Sequence, residues 1–262
     1  LSMGEVAGAS GFHSVRQMNR VIGEVFRFTP RALRAKRRAS DRLAADGGLH
    51  LRLPHSRGFD FDRAQGSLAD RAIPGVESVA DGVYRRVTDT CGHPGVFEIS
   101  ATPGDRHLRA TAHLPSFNNL VDDVARCRRM LGLDTDLADG RAQLTADPLL
   151  GELTSQLPGI TVPGAWDRFE TSVRIILGQQ VTVRAASTIS GRVAERFGTQ
   201  VPGLEPFGLG FMFPSADSLT GADLSSIGVP TARARTLVSF AKSVADGSLD
   251  LYRGDELPGL LE

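Results

Sequence analysis

Cysteine is nearly absent from this chain. Its 262 residues include only Cys91 and Cys127. These two have no CxxC-type metal spacing and are too few for a disulfide framework, so free thiols in a reducing cytoplasm are expected. Long hydrophobic runs are missing as well. No stretch approaches the ~20 apolar residues that cross a bilayer, and no signal-peptide pattern opens the sequence. Histidine offers no ligand pair: His50 and His55 lie near a strand end, and His107 and His113 are too far apart. Neither a metal, a cofactor nor a membrane partner is therefore expected. An excess of charge is also lacking, because 30 basic residues balance 30 acidic ones. A hydrophobic content of 41% and a charged content of 23% suit a globular chain with one or two cores.

The balance hides an uneven distribution. Residues 1–39 hold eight of the Lys and Arg residues against Glu5 and Glu24, leaving an acidic remainder. A basic head on an acidic body points to polyanion contact at the head, with a solvated basic tail as the plain alternative. Val6 to Gly11 reads as a short helix end with a glycine turn. Ser14 suits an N-cap for a helix over 15–26, which buries Val15, Met18, Val21, Ile22 and Val25 and turns Arg16, Gln17, Asn19, Arg20 and Glu24 outward. Thr29 and Pro30 restart a helix as cap and first position. Gly11 to Arg20, followed by Phe28 to Arg34, resembles the second helix-turn-helix of AraC-type regulators. The resemblance implies that helix 15–26 is a recognition helix offering Arg16, Gln17 and Arg20 to a major groove. The alternative is a polar helix face with no DNA partner.

A linker over 37–48, rich in Ala, Asp and Gly, leads to a second segment, 48–135. Leu49 to Pro54 alternates like a strand, Asp60 to Ala72 reads as a helix, and strands follow at 75–79 and 82–88. Segments 96–100 and 107–114 form a hairpin across 102–105. Asn118 is expected to cap a helix running to Leu133, with Val121, Val124, Cys127, Met130 and Leu131 inward, so Cys127 reads as a core thiol. The order β-α-β-β-β-β-α predicts an α+β fold whose antiparallel sheet carries helices on one face.

The third segment, 136–262, reads as helix and loop throughout. Asp147-Pro148 opens one helix, and others span 167–177, 182–197, 215–219, 223–227 and 231–245, with Gly198, Gly228 and Gly247 at their ends. The run from Trp166 through Phe169 and Glu170 to Gly178, Gln179, Gln180, Val181 and Thr182 is the most specific in the chain. An amphipathic helix there meets a glycine break, two glutamines and a second helix rich in small residues. This block resembles the signature of the alkyl-base DNA glycosylases, the 3-methyladenine DNA glycosylase II branch of the helix-hairpin-helix superfamily. Arg71 to Glu77 resembles the small N-terminal domain of the same enzymes, which has a TATA-binding-protein-like fold.

An enzyme acting on a paired base must rotate the nucleotide out of the stack and fill the gap. The resemblance places Gln180 at the wedge position and Gln179 at the pocket edge, with Trp166 a possible pocket aromatic. A glutamine wedge offers a donor and an acceptor to the orphaned base. The plain alternative is that both glutamines cap helix ends. Phe169, four residues before Val173, reads as core, and Arg174 reads equally as a phosphate contact or a solvated arginine. In the family that this block resembles, an aromatic often precedes the leucine corresponding to Leu68, where this chain has Ser67.

Hydrolysis of an N-glycosidic bond passes through a cation-like sugar that a carboxylate stabilises. The family's aspartate follows a helix-hairpin-helix, and neither is legible here. Leu257 to Glu262 imitates the hairpin's opening, and Leu157 to Ile160 is an echo upstream of the wedge. Both read as ordinary boundary loops. Asp217, Asp223, Asp246, Asp250 and Asp255 lack the required context, so no catalytic residue is nominated. The resulting expectation is a C-terminally truncated repair protein behind a partial AraC-type head, acting as a monomer on double-stranded DNA at the bacterial nucleoid. Its parent activity is release of alkylated purines, and the chain itself is expected to be inactive. Two rivals stay open: a non-catalytic, sequence-selective transcription-regulator module, and a fragment that never folds stably because the apolar stripe of Thr231–Ala245 lacks its cover.

Overall fold

The computed structural model describes residues 14–26, 29, 48–56, 59–90, 92–102, 104–135, 138–157, 159 and 161–251. The turn at 6–11, the helix after Thr29, the linker before residue 48, Cys91, Asp255 and the motif echo at 257–262 lie outside these residues. Helix α1 (Val15–Phe26) starts where Ser14 predicts, with the Ser14 hydroxyl accepting from the Gln17 amide at 3.1 Å. Met18 is fully buried and Ile22 packs on the same core, while Arg16, Asn19 and Arg20 face solvent.

Strands β1 (Leu49–Pro54), β2 (Glu77–Ala80), β3 (Val83–Thr90), β4 (His93–Ala101) and β5 (His107–His113) form one antiparallel sheet in the order β1-β5-β4-β3-β2. Strand alternation sorts the side chains. Leu49, Leu51, Leu53, Leu108, Ala110, Ala112, Phe97 and Ile99 point to one face. Two helices cover it. In α2 (Phe61–Ala69), Asp60 caps by accepting from the Arg63 amide at 3.0 Å. In α3 (Leu120–Met130), Leu120, Val124, Cys127 and Met130 supply the buried stripe. Each large apolar side chain taken from water here contributes about 1.5–3 kcal/mol. The cap position of α3 falls on Asn119 rather than Asn118, whose amide donates instead to the Ser116 hydroxyl at 3.3 Å. Cys127 is buried, as its position in the stripe predicts, and burial holds its thiol well above the ordinary value.

The remaining chain carries helices α4 (Ala138–Ala146), α5 (Leu150–Gln156), α6 (Arg168–Gly178), α7 (Val183–Phe197), α8 (Ala216–Leu219) and α9 (Thr231–Ala245), with 3-10 turns at Glu205–Phe207 and Leu224–Ile227. Helix α4 is not anticipated by the pattern, because its nine residues have no apolar stripe to detect. Asp147 accepts from the Leu149 and Leu150 amides, so it caps α5 rather than belonging to it. The expectation of helix and loop alone is also corrected. Strands β6 (Thr199–Gln200) and β7 (Phe211–Met212) pair as a small ribbon. Val201, Leu204, Leu209 and Met212 from this segment pack on Val87 and Val96, covering part of the sheet's second face. Two residues per strand are too few for alternation to show.

Two glycines let the helical part meet the sheet. Gly75 has φ +83°, and a Cβ there would lie 2.7 Å from the Phe211 ring. Gly191 on α7 passes Pro74 so closely that a Cβ would meet its ring at 3.0 Å. A second core of Val173, Leu177, Val193, Leu219, Leu224, Leu237 and Ala241 joins α6, α7, α8 and α9. Leu237 and Ala241 of α9 are fully covered there, so the inward part of the stripe over Thr231–Ala245 does not lack partners.

Asp123 lies on the buried stripe of α3, 1% exposed, with Oδ2 unpartnered and Oδ1 3.6 Å from Arg126. Burial pushes its carboxyl up to about 6, Arg126 opposes the rise, and Asp122 and Asp89 add to it. The charged form is therefore disfavoured in the fold. The penalty is full above pH about 6 and fades as pH falls toward the ordinary value of 3.8. Asp123→Asn is expected to raise stability at pH 8 by up to ~3 kcal/mol. The gain should shrink toward pH 4, as read from thermal melts at the two pH values.

Candidate nucleic-acid interface

Helix α6 begins at Asp167, whose carboxylate accepts from the Glu170 amide at 2.8 Å. It ends at Gly178, and a four-residue connection, Gln179 to Thr182, turns the chain into α7. Thr182 caps α7 by accepting from the Ala185 amide at 3.2 Å. Within the connection Gln180 has φ +56°, a left-handed conformation that costs a non-glycine residue about 1 kcal/mol or more. Both glutamines are exposed. The turn is fixed from behind by Arg233 of α9, which donates to the Gln179 carbonyl at 2.7 Å and the Leu177 carbonyl at 3.4 Å. An arginine on the free carbonyls of a helix end satisfies groups that would otherwise need water.

A cavity of about 530 Å³ opens beside this turn, between the sheet and helices α6 and α7. Gly178 and Val181, on either side of the glutamine pair, line it, as do Ser67, Leu68, Met130 and Trp166. Trp166 is 6% exposed and packs on the Phe97 ring at 5.8 Å.

The cavity floor is charged. Arg86 projects from β3 onto the core face and is 2% exposed. It donates to Glu77 Oε1 at 2.9 Å and to Glu170 Oε2, while its guanidinium lies 4.9 Å from the Trp166 ring centre. Glu77 also accepts from the Tyr84 hydroxyl at 2.6 Å and from the Ile73 amide at 2.9 Å. Arg174 on α6 completes the set, 3.3 Å from Glu77 and 3.6 Å from Glu170, and donates to the Arg71 carbonyl. Burial alone would lower the Arg86 value, yet Glu170 and Glu77 hold it above the ordinary one. Burial, then Glu77, lifts the Tyr84 phenol well above its usual range. Burial also raises Glu170, with Arg86 and Arg174 opposing.

Trp166, Gly178 and Val181 thus meet at one cavity, and the two glutamines lie in the turn between Gly178 and Val181 without lining it. Phe169 is a packing residue as its spacing predicts, stacked on Phe240 at 5.5 Å. Arg174 is half-buried and held by both carboxylates. Among the described histidines, His50 meets Thr111, His55 the Ser56 carbonyl, His107 Asp105 and His113 Glu98. Asp223 and Asp246 accept from amides two residues on, and neither these nor Asp217 or Asp250 lines the cavity. Sequence reading passed over Arg86, Glu77, Tyr84 and Arg233. A signal for Arg86 existed, because it shares strand parity with Tyr84 and therefore points a charge into the core.

The fold is that of the DNA glycosylases. It superposes on the 3-methyladenine DNA glycosylase of Archaeoglobus fulgidus with TM-score 0.61 at 20% identity, over 74% of this chain and 66% of that one. It matches an 8-oxoguanine glycosylase/lyase of Clostridium acetobutylicum, solved with double-stranded DNA, at TM-score 0.56 and 15% identity, over 79% and 66%. Residues 50–167 match the AlkA N-terminal domain. The chain is 32% identical over 207 residues to DNA-3-methyladenine glycosylase 2 of Escherichia coli K12, covering 78% of this chain and 69% of that protein. It belongs to that alkyl-base DNA glycosylase family. It is also 39% identical over 256 residues to the "Probable bifunctional transcriptional activator/DNA repair enzyme AlkA" of Mycobacterium tuberculosis, covering 97% of this chain and 51% of that protein. The chain spans about half the length of the latter relatives.

Breaking the floor should be costly. Arg86→Met leaves two buried carboxylates facing each other and is expected to destabilise by about 3–5 kcal/mol in urea melts. Arg86→Lys should recover little, because an ammonium lacks the fork that spans both carboxylates. Adding Glu170→Gln to Arg86→Met should return part of the loss.

Proposed function

We propose that this chain is the damage-recognition part of an AlkA-type repair protein that binds duplex DNA and receives a flipped alkylated purine in the Trp166 cavity. The observation that carries the reading is Gln180: an exposed side chain held in a strained conformation, on a turn pinned by Arg233 whose flanking Gly178 and Val181 line a cavity. Strain kept in place by surrounding bonds is a mark of functional positions. Gln180 is the wedge and Gln179 borders the cavity. On this reading the chain divides into a head at 1–39, a sheet domain at 48–135 and a helical domain from 136, and acts as a monomer in the bacterial cytoplasm.

Base release needs a carboxylate free to face a cation-like sugar. Among the described residues the cavity carboxylates are Glu77 and Glu170, and both are committed to Arg86 and Arg174. The chain therefore recognises without excising. A second reading, sequence-selective binding through an AraC-type head, is favoured by α1 turning Arg16 and Arg20 outward while burying Met18; Gln17 and the Ser14 cap complete that surface.

Anisotropy titrations with undamaged duplex and duplex holding an abasic-site analogue test both readings. Gln180→Ala is expected to weaken abasic binding about tenfold and leave undamaged binding unchanged, an effect of the size that wedge contacts give. Gln180→Gly should do the same while keeping or raising the melting temperature, because glycine relieves the positive φ. Loss of site-selective binding in Arg16→Ala with Arg20→Ala supports the head's role. Weak, salt-sensitive binding that is equal in every variant would overturn both readings, since phosphate contacts alone give that result. Chromatography of methylated DNA incubated with the chain should show no released 3-methyladenine.

A further inference from the structure

The second face of the five-stranded sheet is covered at Val87 and Val96 by the segment 201–212, and its other half is charged. Strand parity puts Arg52 of β1 and Arg109 of β5 on this face, since Leu51, Leu53, Leu108 and Ala110 turn to the core. Arg52 is half-buried and Arg109 exposed. The register sets the two directly across from each other. Residues so placed have Cβ atoms about 4.5–5.5 Å apart, and like charges there destabilise a sheet. Neither arginine has an ion-pair partner among the described residues, and the same holds for exposed Arg106 in the hairpin before β5.

The nearby carboxylates are already engaged. Glu98 accepts from Arg85 at 2.7 Å and meets His113 at 3.3 Å, Asp105 meets His107, and Asp89 at the far end of β3 accepts from the Gly92 amide. Ser100 adds a hydroxyl beside Arg109. Composition alone does not produce such a patch, because the chain past residue 39 holds 22 basic residues against 28 acidic ones.

We propose that this face is a second polyanion site, holding the sugar-phosphate backbone of a duplex other than the one probed at Gln180. Only the class of partner rests on the DNA-binding reading above. Arginine forks and a hydroxyl match phosphate oxygens. A major groove admits a helix or a two-stranded ribbon rather than a five-stranded sheet, so the contact is independent of sequence. The face also turns away from the cavity. Arg86 lines that cavity from the opposite side of the same sheet, and Arg52 lies on the edge strand farthest from β2. A duplex of about 20 base pairs is far shorter than the persistence length of about 150 and does not bend round to both sites. One chain therefore tethers two duplexes.

The full chain is mixed with a donor-labelled abasic duplex and an acceptor-labelled undamaged duplex of unrelated sequence, and energy transfer reports bridging. Transfer is expected. Arg52→Gln with Arg109→Gln should weaken capture of the undamaged duplex about tenfold and lower its salt slope by about two. Abasic affinity should change less than about twofold, as distant sites allow. The melting temperature should hold or rise once the opposed charges are gone. If half-buried Arg52→Gln does not fold, Arg106→Gln with Arg109→Gln carries the comparison. Transfer kept in these sheet variants but lost in Arg16→Ala with Arg20→Ala would assign the second duplex to α1 and overturn the proposal. So would sedimentation showing a dimer that the sheet variants dissociate, because the face then seats the acidic body of a second copy. No transfer with abasic binding intact overturns the proposal and leaves the Gln180 reading standing. Binding to neither duplex removes both.

Discussion

The charge of Arg86 governs how this molecule is put together. A guanidinium on the core face of a strand carries a desolvation cost of several kcal/mol unless carboxylates and hydrogen bonds offset it. Glu77 comes from the neighbouring strand, but Glu170 comes from α6, on the other side of the cavity. The sheet therefore satisfies its buried charge only when α6 is docked on it. The same docking places Trp166 against the guanidinium, where a cation–π contact adds about 0.5–2 kcal/mol. Hydrophobic contact alone would allow α6 to slide; a planar fork held at both ends does not. The Arg86 Nε atom stays unpartnered among the described residues, so the set is well bonded without being saturated.

From that fixed helix the glutamine turn follows mechanically. Asp167 sets the start of α6, Arg233 clamps its end, and Thr182 restarts the chain as α7. The clamp leaves Gln180 a backbone conformation that an unconstrained glutamine would leave. A side chain with three rotatable bonds gains little from being exposed, but a rigid base under it limits what inserting it elsewhere would cost.

Much of this was legible in the sequence, and the failures have physical causes. Period-two alternation located Leu49–Pro54 and the hairpin strands because one face of the sheet is buried. Helix 15–26 was legible to the residue because Ser14 caps it and Met18 and Ile22 mark its inner face. The ribbon at 199–212 was not legible, since two-residue strands leave no period. Helix Ala138–Ala146 was missed because it has no apolar face, and helix length alone gives no signal without one. The site divided in the same way. Trp166 and the two glutamines stood out as a block, whereas Arg86, Glu77 and Arg233 are scattered over more than 150 positions and converge only in space. A charged residue at a core-facing parity was the one trace of them.

The charge set also bears on what the cavity would select on the proposed function. Arg86 and Arg174 against Glu77 and Glu170 have formal charges that sum to zero, so on that reading the floor offers a cationic base no net opposite charge. Each carboxylate is already committed to both arginines, and withdrawing one would leave Arg86 and Arg174 sharing the other. On the proposed function, selection comes from shape and stacking: the Trp166 face and the apolar walls. A pocket that discriminates by fit distinguishes one methylene by only ~1–3 kcal/mol. Sorting damaged from normal bases on that margin requires the flipping step to contribute, because a damaged base leaves the stack more readily than a sound one. On the proposed function, the strained glutamine and the neutral-floored cavity divide one task, the first testing how easily a base departs and the second testing what arrives.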